Sequence, residues 1–252
     1  MLEKGKSHGI PSTLVLVAAL NEEEGIGPTL MELKQYLRGA RLLVIDGNSS
    51  DRTVHVAKSL GADVLYQKGE GKGDAIAFGL QNVNDDFDYV VLTDADYTYP
   101  AAYVLQMIKI LEANTKVGMV CGNRFNSHLD IGAMHHMLYF GNRLLALIHN
   151  FFNGITLRDP LTGLRVIRWD IMKKWQPKSE GFDLEVELNH HVERQGYWIR
   201  EISIFYRERI GEKKLKPKHG ITILKRILTE SVRRGGTLNH DVSQHALKQL
   251  EG

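Results

Sequence analysis

Cysteine is nearly absent from this 252-residue chain, where Cys121 is the only one. One thiol excludes an internal disulfide, and its setting in Val117-Gly118-Met119-Val120-Cys121 is that of a small core residue rather than a nucleophile. Long apolar runs are missing as well. The best, Leu14 to Leu20, falls far short of the roughly 18 to 20 residues that span a bilayer, so no membrane-crossing helix is expected. Met1 to Pro11 is polar and contains glycine, unlike a secretory leader, and a cytoplasmic location is the expectation. Neither a P-loop nor a strand-linked G-x-G-x-x-G occurs, which removes ATPase and dinucleotide-binding readings. Internal repeats and low-complexity segments are also absent.

What remains has the composition of an ordinary globular protein, with 43% hydrophobic and 25% charged residues. The length suits one α/β domain with ample core, or at most two small ones. Strand-like runs at Thr13–Ala19, Arg41–Asp46, Asp63–Tyr66, Asp88–Asp94 and Val117–Cys121 alternate with helical periodicity at Thr29–Leu37, Asp51–Leu60, Asp74–Asn82 and Ala101–Ala113. Ser50 reads as a helix N-cap. This alternation predicts a mostly parallel, doubly wound sheet with helices on both faces. The second half is less regular: a long helix from about His135 to Phe152, a short strand Leu164–Ile167, a helix Asp183–Arg194, and an edge strand Trp198–Phe205.

Thr93-Asp94-Ala95-Asp96 closes the apolar run Tyr89-Val90-Val91-Leu92. Its acids therefore fall at the carboxyl end of a buried strand, where open α/β sheets hold ligands. Residues i and i+2 of an extended segment project to one side, so Asp94 and Asp96 can face one point. A divalent cation liganded by oxygen would relieve their repulsion and could bridge substrate phosphates. Taken alone, the tripeptide more often just ends a strand and caps the next helix. Other polar loops open on the same edge: Asn21-Glu22-Glu23-Glu24, Asp46-Gly47-Asn48-Ser49-Ser50-Asp51 and Gly69-Glu70-Gly71-Lys72-Gly73. The pairs His135-His136 and His190-His191 are adjacent rather than one turn apart and make poor metal ligands.

In order along the chain, Ala19-Leu20-Asn21-Glu22, Val44-Ile45-Asp46-Gly47-Asn48-Ser49-Ser50-Asp51-Arg52-Thr53, Gly71-Lys72-Gly73-Asp74-Ala75 and Asp94-Ala95-Asp96 are followed by Gly122-Asn123-Arg124, Gly141-Asn142-Arg143, Asp159-Pro160-Leu161-Thr162-Gly163, Gly181-Phe182-Asp183-Leu184-Glu185 and the segment from Tyr206 to Leu215. This series resembles the inverting glycosyltransferases of family two, in particular the dolichyl-phosphate mannose or glucose synthase branch. The resemblance implies a nucleotide-sugar-binding fold of the GT-A type over residues 1–212, with 213–252 a basic amphipathic helix and tail. It implies Mg²⁺ or Mn²⁺ at Asp94 and Asp96, and donor contacts from Ala19, Asn21, Glu22, Asp46, Lys72, Gly73 and Asp94. It also implies a polyprenyl (dolichyl) phosphate acceptor held by Arg124, Arg143, Arg209 and Lys214, whose cationic heads match phosphate oxygens. Surface ion pairing is the other reading of these four. The donor stays open among GDP-mannose, UDP-glucose and UDP-N-acetylglucosamine, and nucleic acid is not an expected partner. The sequence departs from the branch at Leu20, at Thr98, where an extra metal ligand is common, and at Lys213. A hydroxyl acceptor, or a non-catalytic nucleotide-sugar-binding subunit, remains the alternative.

Between Lys213 and Arg234 there are eight Lys or Arg against Glu230 alone, on a chain whose net charge is +2. Ile221, Leu224 and Leu228, widened by Ile223 and Ile227, recur at helical spacing among Lys225, Arg226, Arg233 and Arg234. Such a helix either lies on an anionic membrane surface, as a peripheral anchor, or packs on the domain or a second subunit.

Overall fold

The first strand dictates the layering. In β1 (Thr13–Ala19), Leu14 and Leu16 point to one face and Val15 and Val17 to the other, and all four are buried. A strand apolar on both faces needs helices on both. The computed structural model, which describes residues 11–125, 136–153, 156–212, 214 and 219–231, has this arrangement. Its strands continue as β2 (Arg41–Asp46), β3 (Asp63–Tyr66), β4 (Tyr89–Asp94), β5 (Val117–Asn123), β6 (Arg165–Arg168) and β7 (Trp198–Ser203). They form a 7-stranded sheet in the order β3-β2-β1-β4-β6-β5-β7, with β7 at an edge as expected. Only β6 runs antiparallel to its neighbours β4 and β5.

Helices α1 (Glu23–Tyr36), α2 (Thr53–Ser59) and α4 (Ala102–Ala113) cover the Val15/Val17 face through Ile26, Leu30, Ala57, Val104, Met107 and Leu111. Helices α3 (Lys72–Gln81), α6 (Trp169–Met172) and α7 (Leu184–Arg194) cover the Leu14/Leu16 face through Ile76, Leu80, Met172, Leu184 and Leu188. From β1 the chain runs outward to β2 and β3, then returns past β1 to form β4. The crevice at the carboxyl ends of β1 and β4 is thus the switch point at which such sheets bind ligands.

Helix starts are where sequence and structure part. α1 begins at Glu23, well before Thr29, with Pro28 inside it. The Glu22 carbonyl accepts the amides of Gly25 and Ile26 at 3.1 and 2.9 Å, Glu23 and Glu24 suit the positive helix end, and burial of Ile26, Leu30 and Leu33 outweighs the bond that proline removes. At α2 the capping group belongs to Asp51, not Ser50: its Oδ1 accepts the Thr53 amide at 2.9 Å. The short α6 carries no periodic signal and was not expected.

Outside the second layer, α5 (His136–Asn153) and a helix over 219–231, here α8, pack against α7. Leu145 and Ile148 of α5 meet Val186, Ile223 and Ile227. Of the two readings of the α8 stripe, packing on the domain is the one that holds for its buried part. Ile223 and Ile227 belong to the protein interior, and Arg226 turns inward to Asp183 at 2.8 Å and Glu187 at 3.6 Å, while Ile221 and Leu228 stay exposed. Lys213, Lys216, Lys218, Arg233 and Arg234 lie outside the described residues, as does His135. No described helix is long and apolar enough to cross a membrane.

The α5–α7 contact contains a buried imidazole. His149 lies 5.6 Å from the His190 ring, with its Nδ1 3.3 Å from Asn150 Oδ1. Burial, which disfavours the charged form, lowers its pKa to about 4. Unfolding therefore takes up a proton between that value and the ordinary one near 6.5, so this stability is fully present above about pH 6.5 and is lost as pH falls towards 4. The whole effect amounts to about 3 kcal/mol. His149→Gln is expected to flatten the fall in urea stability between neutral and acid pH. Parallel pH profiles for the two chains would show that the ring is already protonated in the fold.

Candidate active site

Asp94 ends β4, and Asp96 follows two residues later in the loop. Both line a cavity of about 980 Å³ that opens over the switch point. Each acid has one oxygen engaged by the chain. Lys72 Nζ sits 2.6 Å from Asp94 Oδ1 and 2.8 Å from Glu185 Oε1, while the Thr98 hydroxyl and amide donate to Asp96 Oδ1 at 2.6 and 3.2 Å. Among the described residues no hydrogen bond is given to Asp94 Oδ2, and Asp96 Oδ2 lies in an ion pair 3.6 Å from Arg209 Nη1. Burial, and then the charge of Asp94, push the Asp96 carboxyl above its usual range. For Lys72, burial acts to lower the pKa, but Asp94 and Glu185 outweigh it and hold the ammonium firmly charged.

Two glycines fit tightly around this segment. A Cβ at Gly25 would lie 2.7 Å from the Ala95 carbonyl, and one at Gly163 would lie 2.6 Å from Asp94 Oδ2. Gly163→Ala is accordingly expected to displace Asp94 and to weaken Mn²⁺ binding in the presence of nucleotide about tenfold or more. Titration calorimetry checks this, and unchanged affinity would mean that the close approach does not set the carboxylate.

On the β1 side, Glu22 Oε1 accepts from Arg209 Nη2 at 2.7 Å. Among the described residues, Glu22 Oε2 and Arg209 Nε are buried without hydrogen-bond partners. Burial raises the Glu22 carboxyl to about 6. Lys214 Nζ donates to the Asn21 carbonyl at 3.1 Å and also lines the cavity. Here the residues fit a divalent cation in one form. Among the described residues no cage of three His, Cys, Asp or Glu exists, so the cation would take Asp94 and Asp96 and complete its shell with substrate phosphate oxygens and water. Thr98 orients Asp96 through the two bonds that its hydroxyl and amide donate.

On the other side of the crevice, Arg124 follows β5 and is buried. Its Nε and Nη2 grip Asp159 at 2.6 and 2.8 Å, and its guanidinium lies over Tyr206, 5.4 Å from the ring centre. Asp159 belongs to a loop fixed from behind. Glu201 accepts the Arg158 and Asp159 amides, each at 2.8 Å, and the buried Arg165 binds the Pro160 and Thr162 carbonyls at 2.7 and 2.9 Å. Tyr99 completes the floor. Its hydroxyl accepts the Gly163 amide at 2.8 Å, and its ring meets Tyr206 edge-on at 5.2 Å.

Of the residues singled out in the sequence, Ala19, Glu22, Lys72, Asp94, Asp96, Arg124, Arg209 and Lys214 come together on the cavity wall. Four stand behind it or apart. Asp46 is buried and receives the Ser49 amide and hydroxyl at 2.9 and 2.5 Å; Asn21 receives the Ser50 amide at 2.8 Å; Gly73 donates to the Glu180 carbonyl at 2.8 Å. Arg143 is exposed on α5 over the Phe125 ring, while its neighbour Asn142 lines the cavity. Tyr99, Gln67, Gly163 and Tyr206 line the cavity without having been assigned there. The last two sat in quoted motifs; Tyr99 and Gln67 had no signal.

Residues 14–175 match the model of the glycosyl transferase family 2 domain. The chain belongs to this family. Among curated relatives, it is 33% identical over 209 residues to the dolichyl-phosphate hexose transferase of Haloferax volcanii, covering 82% of this chain and 87% of that one. It is 26% identical over 216 residues to the undecaprenyl-phosphate mannosyltransferase of Micrococcus luteus, covering 80% and 86%. The fold matches that of glucosyl-3-phosphoglycerate synthase from Mycobacterium tuberculosis, solved with Mn²⁺, uridine diphosphate and phosphoglyceric acid, with a TM-score of 0.69, 20% identity, and 88% of this chain and 78% of that one covered. The protein is a family 2 glycosyltransferase with a GT-A sheet.

Proposed function

We infer that this glycosyltransferase moves a hexose from a nucleoside diphosphate sugar to a polyprenyl phosphate, with Mg²⁺ or Mn²⁺ at Asp94 and Asp96, at the cytoplasmic face of a membrane. One observation carries the reading: a single cavity joins the carboxylate pair and the cations Arg209, Lys214 and Arg124 to an apolar wall of Leu161, Phe182 and Ile223. An acceptor with an anionic head and a hydrocarbon tail matches both parts. The names of the Haloferax and Micrococcus relatives support that acceptor class. The buried free thiol of Cys121 suits a reducing compartment.

A phosphate acceptor is already ionised at neutral pH, so its oxygen can attack the anomeric carbon without a general base. Of the carboxylates that line the cavity, Glu185 is bound to Lys72 and Glu22 to Arg209, while Glu70 and Glu208 stand at its wall as well. Arg209 and Lys214 orient anionic oxygens, and Tyr99 and Tyr206 hold the floor rigid. When bound, the divalent cation would offset charge on the departing diphosphate. The decisive experiment offers purified protein, either metal and a panel of labelled nucleotide sugars to a polyprenyl phosphate. Label extracted into organic solvent is the expected result. Label found only on a soluble hydroxyl acceptor would overturn the lipid reading.

A further inference from the structure

α5 presents a face that none of the described residues covers. Its inward residues Leu145, Ala146 and His149 pack on the protein, but Phe140, Leu144, Leu147 and Phe151 are 68, 59, 66 and 83% exposed. Their spacing of four, three and four residues puts them on one stripe about 16 Å long. Exposed apolar residues scattered singly are ordinary; a row of four this large is not. Beside it, Ile221 and Leu228 of α8 are exposed too.

We propose that the α5 stripe, flanked by α8, is the surface that inserts into an anionic lipid bilayer. Three observations choose lipid over a second copy of the chain. First, α5 contains no Asp or Glu, the single acid of α8, Glu230, is buried, and Lys225 is exposed. Second, Arg143 of α5 is exposed as well, so the described charges of the two helices that reach solvent include cations and no acid. Charge of one sign suits anionic headgroups, whereas pairing this face with its copy would set the basic residues of both against each other. Third, the face adjoins the active site, because Asn142 of α5 and Ile223 of α8 line its cavity. Insertion would bring the cavity's apolar wall to the depth from which a lipid-borne acceptor is drawn, and in this respect the inference rests on the polyprenyl-phosphate reading. It also revises the anticipated anchor: α8 is the strut held by Ile223, Ile227 and Arg226, and α5 carries the inserting side chains.

The test uses the full chain and vesicles free of polyprenyl phosphate, so that adsorption is read apart from transfer. The protein is expected to sediment with phosphatidylglycerol-containing vesicles, weakly with phosphatidylcholine alone, and to come off as salt rises. Leu147→Glu and Phe151→Glu, both at exposed positions, should keep the melting temperature and lower partitioning about tenfold or more. Unchanged partitioning of these variants overturns the proposal, as does failure of the parent chain to bind anionic vesicles. A parent dimer that Phe151→Glu dissolves, without vesicle binding, assigns the face to a second copy instead. Transfer to a short, water-soluble polyprenyl phosphate is measured in parallel. Its absence alongside stripe-dependent vesicle binding would sink the acceptor assignment and leave the surface standing.

Discussion

Asp96→Ala is expected to fold and to lose nearly all transfer. On the proposed function Asp96 would bring a second carboxylate to the cation that offsets the charge of a departing diphosphate, and removing one ligand there is expected to cost ~4 kcal/mol in the barrier, about a thousandfold in rate. The fold does not depend on it. Its carboxyl is pushed above the usual range by burial and by Asp94, so the ionised form opposes folding at neutral pH, and its removal should leave the melting temperature unchanged or slightly higher. Single-turnover assays with labelled donor, together with a melting curve, check both halves. Near-normal, metal-dependent turnover would remove Asp96 from the cation site.

The largest effect on stability is expected at Asp159. Its carboxylate is fully buried and holds the equally enclosed Arg124 by two bonds, so Asp159→Ala strands a guanidinium in the interior at a cost of about 3 to 5 kcal/mol. Replacing both partners by apolar residues of similar size, as in Arg124→Met with Asp159→Leu, removes the stranded charge and should restore most of the urea midpoint. Transfer should not return, because the cavity has lost a cation. A single-variant cost below about 1 kcal/mol would mean that water reaches the pair.

The sheet was legible because its central strands are apolar on both faces, and a pattern as strong as Leu14 to Ala19 leaves few alternatives. The carboxylate pair was legible for the same reason, since an apolar run ending in Asp94 places its acids at a strand's carboxyl end. Helix starts were harder. Pro28 and the glycines beside it suggest a loop, and only the tertiary burial of Ile26 and Leu30 overrides that local preference. In the second half, Arg143 rested on the resemblance and on the match of guanidinium to phosphate, neither of which tells which side of α5 faces inward, and it is Asn142 that lines the cavity. Tyr99 reaches Gly163 across 64 residues of sequence, a contact no local pattern encodes.

The antiparallel β6 has a consequence for how this protein can change. Because β6 runs against its neighbours, the loop before it arrives at the same edge as the loop after β5, and Arg124 meets Asp159 there. The stretch between these two residues, which includes α5, therefore leaves and re-enters the sheet through one buried clasp. Nothing in the strand register depends on what lies inside it. Exchanging such a segment is expected to change the exposed face of α5 while β4, and with it Asp94, keeps its register.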